Sequence, residues 1–266
     1  MNRIGKLLLF SKRQLFVLGV VVLSALLFAS EFISGSYLLI ASIALSFLTS
    51  LLFYFATRED LSMRFSFPVF ILPFFYTLSF TLFYPLIPAR LLTRVLTTSI
   101  YAFGLYSLFL TQNIFAVSAV RTINLLRSAR IVSFVLTIVV VFLITNIIFS
   151  QRLPVYISSL IILFVTFLLN FQSLWTYSLS REGLSDRFKL SFLISGSIAE
   201  LSLVLSIWPI NAAIYSIFLT GIFYAYCGLT HAWVEKRLFK NVFWEYVWVG
   251  FLAVLILIFF SKWGII

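Results

Sequence analysis

The chain reads as an all-α polytopic membrane protein of about nine transmembrane helices, one leading helix followed by two parallel four-helix repeats. Three observations predict this. Of the residues, 62% are hydrophobic and only 10% charged, whereas charged residues make up about a quarter of soluble domains. The apolar residues fall in continuous runs, each long enough to cross a hydrocarbon core of roughly 30 Å. A charged octet also occurs twice, "REDLSMRF" at 58–65 and "REGLSDRF" at 181–188, with the second 123 residues after the first.

The runs place spans at roughly 14–32, 36–56, 66–84, 97–120, 131–149, 155–179, 190–208, 211–230 and 243–261. They lack the strict alternation of a membrane barrel, and backbone groups in lipid must bond within their own segment, so helices follow. The first span has a secretory-signal look: basic residues, an apolar run from Leu15 to Ala29, then small residues before Glu31. It passes into the second span after only Ser34-Gly35-Ser36, which favours an uncleaved anchor.

The gaps between spans set the orientation. With the N-terminus inside, inner segments hold Arg3, Lys6, Lys12, Arg13, Arg58, Arg64, Arg121, Arg127, Arg130, Arg181, Arg187, Lys189, Lys236, Arg237 and Lys240. Outer segments hold Arg90, Arg94, Arg152 and Lys262, so all 19 basic residues divide 15 to 4. That bias predicts a cytoplasmic N-terminus and an outside C-terminus, in the plasma membrane of a prokaryote. Trp208 and Trp263 fall at outer ends, and Trp175, Trp233 and Trp244 near inner ends, where an indole is at home. The net charge of +11 sits in these short gaps, so it points to anionic lipid headgroups and not to nucleic acid.

The repeat extends past the octets. Tyr54 matches Tyr177, "FYP" at 83–85 faces "IWP" at 207–209, and "SIYA" at 99–102 resembles "AIYS" at 213–216. The expected parts are 1–35, a basic N-terminus and leading helix; 36–150, the first repeat; and 151–266, the second. A ten-residue insertion around "LIPARLLTRV", near 86–95, accounts for the shortened offset and brings in Arg90 and Arg94. It is expected to form a short interfacial helix, with Leu91, Leu92, Val95 and Leu96 on one face. An even number of spans per copy makes the copies parallel, related by an axis along the membrane normal.

Candidate chemistry is sparse. Arg58, Arg64, Arg181 and Arg187 could converge on an anionic group, since guanidinium forks suit phosphate and carboxylate. Anchoring span ends to headgroups is the simpler reading. Glu200, in "SIAELSLVL", is the acid expected deep within a span, with Asn170 and Asn211 among its candidate partners. An ionised acid there costs at least about 2.5–3.5 kcal/mol, so it is either a coupling carboxylate or a protonated packing contact. Cys227, His231 and Glu235 share a helix face at spacing i, i+4, i+8, which a thiol enzyme would need. Nothing supplies an oxyanion site, so the reading leans away from an enzyme. One His and one Cys complete no zinc site, and no phosphate loop occurs, so no cofactor is expected. Pro68 and Pro73 in the third span, and Gly196 with its serines in the seventh, are expected to loosen helices at matching depth.

The leading functional expectation is a small permease, or a transport-associated membrane component, for an amphiphilic or anionic molecule. Its cavity would lie near Glu200 with the loop arginines at the mouth. The alternative is a non-catalytic scaffold or assembly subunit whose basic cytoplasmic face grips lipids and a protein partner.

Overall fold

A computed structural model describes residues 11–30, 37–61, 67–88, 90–118, 125–177 and 184–261. Among them are nine α-helices long and apolar enough to span a membrane, and no strand. They are α1 Lys12–Ala29, α2 Tyr37–Leu61, α3 Pro68–Phe83, α4 Leu91–Ser118, α5 Leu126–Ser150, α6 Val155–Tyr177, α7 Leu184–Leu205, α8 Ala212–Val234 and α9 Lys240–Phe260. The observed helices therefore follow the nine predicted runs.

Local chemistry sets several ends. Ser11 caps α1 in a capping box: its Oγ accepts from the Gln14 N–H, and Gln14 Oε1 accepts from the Ser11 N–H at 2.7 Å. Pro68 opens α3 at a first-turn position, where no intrahelical N–H is needed. Pro73 lies inside α3 and Gly196 inside α7, and both helices continue through them. The expected interfacial helix near 86–95 is instead the start of α4. A short 3₁₀ turn, Tyr84–Leu86, precedes it, and the helix then runs without a break from Leu91. No proline follows Pro88 in that run, so nothing stops the ladder. Its 28 residues reach about 42 Å, more than the hydrocarbon core requires.

The chain divides into two compact units, 1–132 and 133–266. In the first, α2 packs on α3, α3 on α4, and α1 against both α2 and α4. Its interior joins aromatic rings and hydroxyls. Phe16, Phe53 and Phe109 meet with centroids 5.4–6.2 Å apart, all buried. Deeper along the helices, the Thr49 and Thr77 hydroxyls lie 3.0 Å apart and Thr77 lies 3.1 Å from the Tyr101 hydroxyl. This buried chain ties α2, α3 and α4 together. Tyr76 donates to the Ile100 and Tyr101 carbonyls, both at 3.3 Å, and its hydroxyl covers Gly104, leaving no room for a Cβ.

In the second unit α6 packs on α7, α7 on α8, and α9 along α8. Phe134 and Phe149 bring α5 onto α8 through Tyr224 and Tyr215. The α8–α9 contact is an antiparallel seam of small residues: Gly221 meets Ala253, Ala225 meets Gly250, and the Tyr246 ring lies on Gly228. Small residues let the two backbones approach closely, which substitutes for a hydrophobic driving force in lipid. The rest of α9 is outward, with Trp244, Trp248, Phe251, Phe259 and Phe260 exposed.

Candidate functional site

Two places carry more than packing. The first, in the first unit, is a cleft of about 350 Å³ between α1 and α2. Leu15, Leu18, Gly19 and Val22 form one wall, and Leu52, Phe55 and Ala56 the other. Phe16 and Phe109 form its back, where the three-ring cluster holds them in place. Gly19 shapes this back wall, since a Cβ there would already touch the Phe109 ring at 3.6 Å. The cleft's lining is apolar except at one end, where Arg58 stands in the last turn of α2. The guanidinium complements the carbonyl end of the helix dipole and has no ion-pair partner among the described residues. An apolar slot of ligand-site size ending in a cation matches an alkyl chain with an anionic head.

The second place is the interior face of α7. Arg187, Ser191 and Ser195 recur at i, i+4 and i+8 and are 6%, 0% and 0% exposed. The opposite face carries exposed Phe188, Phe192, Leu193, Leu203 and Val204. This polarity is inside out relative to a soluble helix: greasy outward, polar inward. Asn170 of α6 is fully buried, accepts from the Cys227 thiol at 3.3 Å, and has no partner for its Nδ2. One turn along, Ser173 Oγ lies 3.0 Å from His231 Nε2, and the imidazole stacks on Tyr177 at 4.2 Å with Phe134 edge-on at 4.9 Å.

The predicted site residues scatter among these features. Arg58 ends the cleft, while Arg187 and Asn170 are buried in the second unit. Arg64 and Arg181 lie outside the described residues. Asn211 caps α8, its Oδ1 accepting from the Ile214 N–H at 2.9 Å. Glu200 is exposed on α7, on the helix stripe of Leu193 and Ser197. Those two line a shallow groove of about 290 Å³ with Tyr226, Leu229 and Thr230 of α8. Cys227 and His231 each turn to α6, and Glu235 comes within 3.7 Å of Arg237. Among the described residues no group of three His, Cys, Asp or Glu side chains could hold a metal.

Sequence reasoning missed the serine stripe. Its signal was present in the 187, 191, 195 spacing, and reading polar residues for helical period, as apolar ones are read, finds it. The hydroxyl chain of Thr49, Thr77 and Tyr101 carries no such signal, because its members come from three helices.

The nine apolar helices among the described residues, together with an apolar cleft ending in a cation and a polar helix interior, define a multi-pass α-helical membrane protein. The chain belongs to the family described as protein of unknown function DUF5656, which it matches over residues 14–260. No curated protein and no solved structure matches it.

Proposed function

We propose that the protein is a small permease, or the membrane component of a transport system, for an amphiphile with an anionic head. The observation that carries this is the α1–α2 cleft, whose apolar walls end at Arg58. Carrying an amphiphile across a bilayer requires shelter for the head and tolerance of the tail. A cation at the end of a greasy slot meets both needs. The arrangement of the chain is read as a duplication: α2 packs on α3 and α3 on α4, as α6 packs on α7 and α7 on α8. The twin octets fall at the same joint, α2 to α3 and α6 to α7. The 15-to-4 division of basic residues supports a cytoplasmic N-terminus and octets on the cytoplasmic face. Lipid headgroups are the partners of that basic face.

A second reading, a scaffold subunit without cargo, is favoured by α9. Only Ala253 and Leu257 of that helix are buried, which leaves most of its surface for a partner helix. Proteoliposomes separate the two. Nitrobenzoxadiazole-labelled phosphatidylglycerol is reconstituted with the protein, and external dithionite bleaches whatever label reaches the outer leaflet. A permease bleaches the inner-leaflet label well above the protein-free rate, and Gly19→Leu, which fills the cleft, returns it to background. If wild-type vesicles bleach like protein-free ones, the permease reading fails and the scaffold takes its place.

A further inference from the structure

Acids are few in this chain, and among the described residues two stand inside spans at the same distance from a helix end. Glu245 lies five residues after Lys240 opens α9, and Glu200 five residues before Leu205 closes α7, each about 7.5 Å from that end. The bond from Cα to Cβ leans toward the N-terminus of a helix. Glu245 therefore leans out toward its end of α9, where water and headgroups lie. Glu200 leans the other way, toward the middle of α7. It is exposed, and it makes no hydrogen bond or ion pair with the described residues. A carboxyl turned into hydrocarbon without a partner is costly, whether protonated or not.

The residues around Glu200 form a seam. Leu193, Ser197, Glu200 and Val204 recur at steps of four, three and four, the spacing with which one helix meets another in a coiled coil. Leu193 and Val204 are exposed. Ser197 turns its hydroxyl back on the Leu193 carbonyl at 3.1 Å, so it brings a small surface and no unmet donor. Next to it, a Cβ placed on Gly196 would meet nothing within 4 Å, so another helix can approach the α7 backbone closely here. Leu193 and Ser197 also line the groove of about 290 Å³ against Tyr226, Leu229 and Thr230. That groove gives room to the side chains of a helix laid along α7.

Lipid tails offer Glu200 nothing, and anionic headgroups repel it. A second copy of this chain always brings a matching group. Copies inserted the same way in one membrane are related by an axis along its normal, so α7 meets α7 in parallel and each residue on the axis meets its own counterpart. Two carboxyls then face each other and share a proton in an acid-to-acid hydrogen bond, since both cannot carry charge at that separation. A single polar layer in an otherwise apolar seam fixes register and partner number. We propose that the outward face of α7 is a homodimer contact, in which two copies pack α7 on α7 with Glu200 against the partner's Glu200. This goes beyond the α1–α2 cleft, since it uses another helix and needs no cargo.

The test is Förster energy transfer between donor-tagged and acceptor-tagged full chains in phosphatidylcholine vesicles, followed as lipid is added. The proteins compared are wild type, Glu200→Leu, Glu200→Gln and Val21→Ala, the last at an exposed position on α1. All change outward side chains, and equal thermal midpoints in dilute detergent verify that each is folded. Wild type, Glu200→Gln and Val21→Ala are expected to pair over the same range, because two glutamine amides also bond each other. Glu200→Leu is expected to need about three- to ten-fold more protein per lipid for half-maximal transfer, since apolar helices gain nothing hydrophobic from meeting in lipid. A crosslink gives the geometry. In a Cys227→Ala background, Ser197→Cys is expected to join two copies on oxidation, and Ser107→Cys, exposed on α4, is not. Transfer unchanged in Glu200→Leu, or equal crosslinking at 107 and 197, overturns the contact. So does a wild type without transfer, which would leave Glu200 to lipid or to a cation-bearing helix of another protein.

Discussion

Arg58 shows how far one residue can be read from sequence. Its charge and the end of its span were legible, because a scarce cation in a greasy chain marks a membrane boundary. Its neighbours were not. The slot it ends is built from Gly19, thirty-nine residues earlier, and Phe109, fifty-one later, and no local pattern joins them. Replacing Arg58 with Gln is expected to weaken binding of a labelled long-chain fatty acid about ten-fold or more, the worth of one charge-assisted contact. Fluorescence titration of the purified protein reads this. Thr77 makes a second residue-scale case. Thr77→Val keeps the shape but removes the hydroxyl's contacts with Thr49 and Tyr101, at 3.0 and 3.1 Å, while Thr49 still donates to the Leu45 carbonyl. Intramembrane hydrogen bonds average about 0.6 kcal/mol and reach about 1.7, so a loss of 1–2 kcal/mol in reversible unfolding is expected. Cys227 is fully buried and donates to Asn170. A maleimide should leave it unmodified in the folded protein and label it after denaturation.

Among elements, the helices themselves were nearly all legible, because length and continuous apolarity suffice when the solvent is lipid. The expected interfacial helix at 86–95 failed for a physical reason. Leu91, Leu92 and Val95 have helical spacing whether they lie on the surface or begin a longer helix, and spacing alone cannot tell the two apart. Pro73 likewise reads as a break, yet α3 continues through it, as neighbouring packing allows in membranes. The α8–α9 seam was also invisible, since its glycines and alanines look like filler until a partner is placed on them. Gly221 stands with Ala253 Cβ only 2.9 Å from where its own Cβ would be. Gly221→Leu is expected to cost about 1–3 kcal/mol or more by overpacking, and Ile217→Leu, at an outward position, close to nothing. Thermal midpoints of the two variants in one detergent would check the contrast.

At the scale of the whole molecule, the proposed duplication requires two copies that run the same way. The compact units divide at 132, within α5, and place α1 with α2–α4. Hydropathy could not reach that grouping, because it counts spans and is blind to which of them touch. A direct check uses Ser62→Cys and Ser185→Cys, one in each octet, in a Cys227→Ala background. An impermeable maleimide added to right-side-out vesicles should label neither, and lysis should expose both. Labelling of one octet from outside would put the two on opposite faces and end the parallel arrangement.

The proposed function places an alkyl chain in the α1–α2 cleft with its anionic head on Arg58. Equilibrium binding of a nitrobenzoxadiazole-labelled fatty acid to the purified full chain tests this most directly, comparing wild type, Gly19→Leu and Val21→Ala. Gly19 faces the cleft, whereas Val21 is outward and exposed. Saturable binding is expected, falling at least about ten-fold in Gly19→Leu, the 1.4 kcal/mol of a lost slot, and unchanged in Val21→Ala. Equal affinity in all three proteins would contradict it.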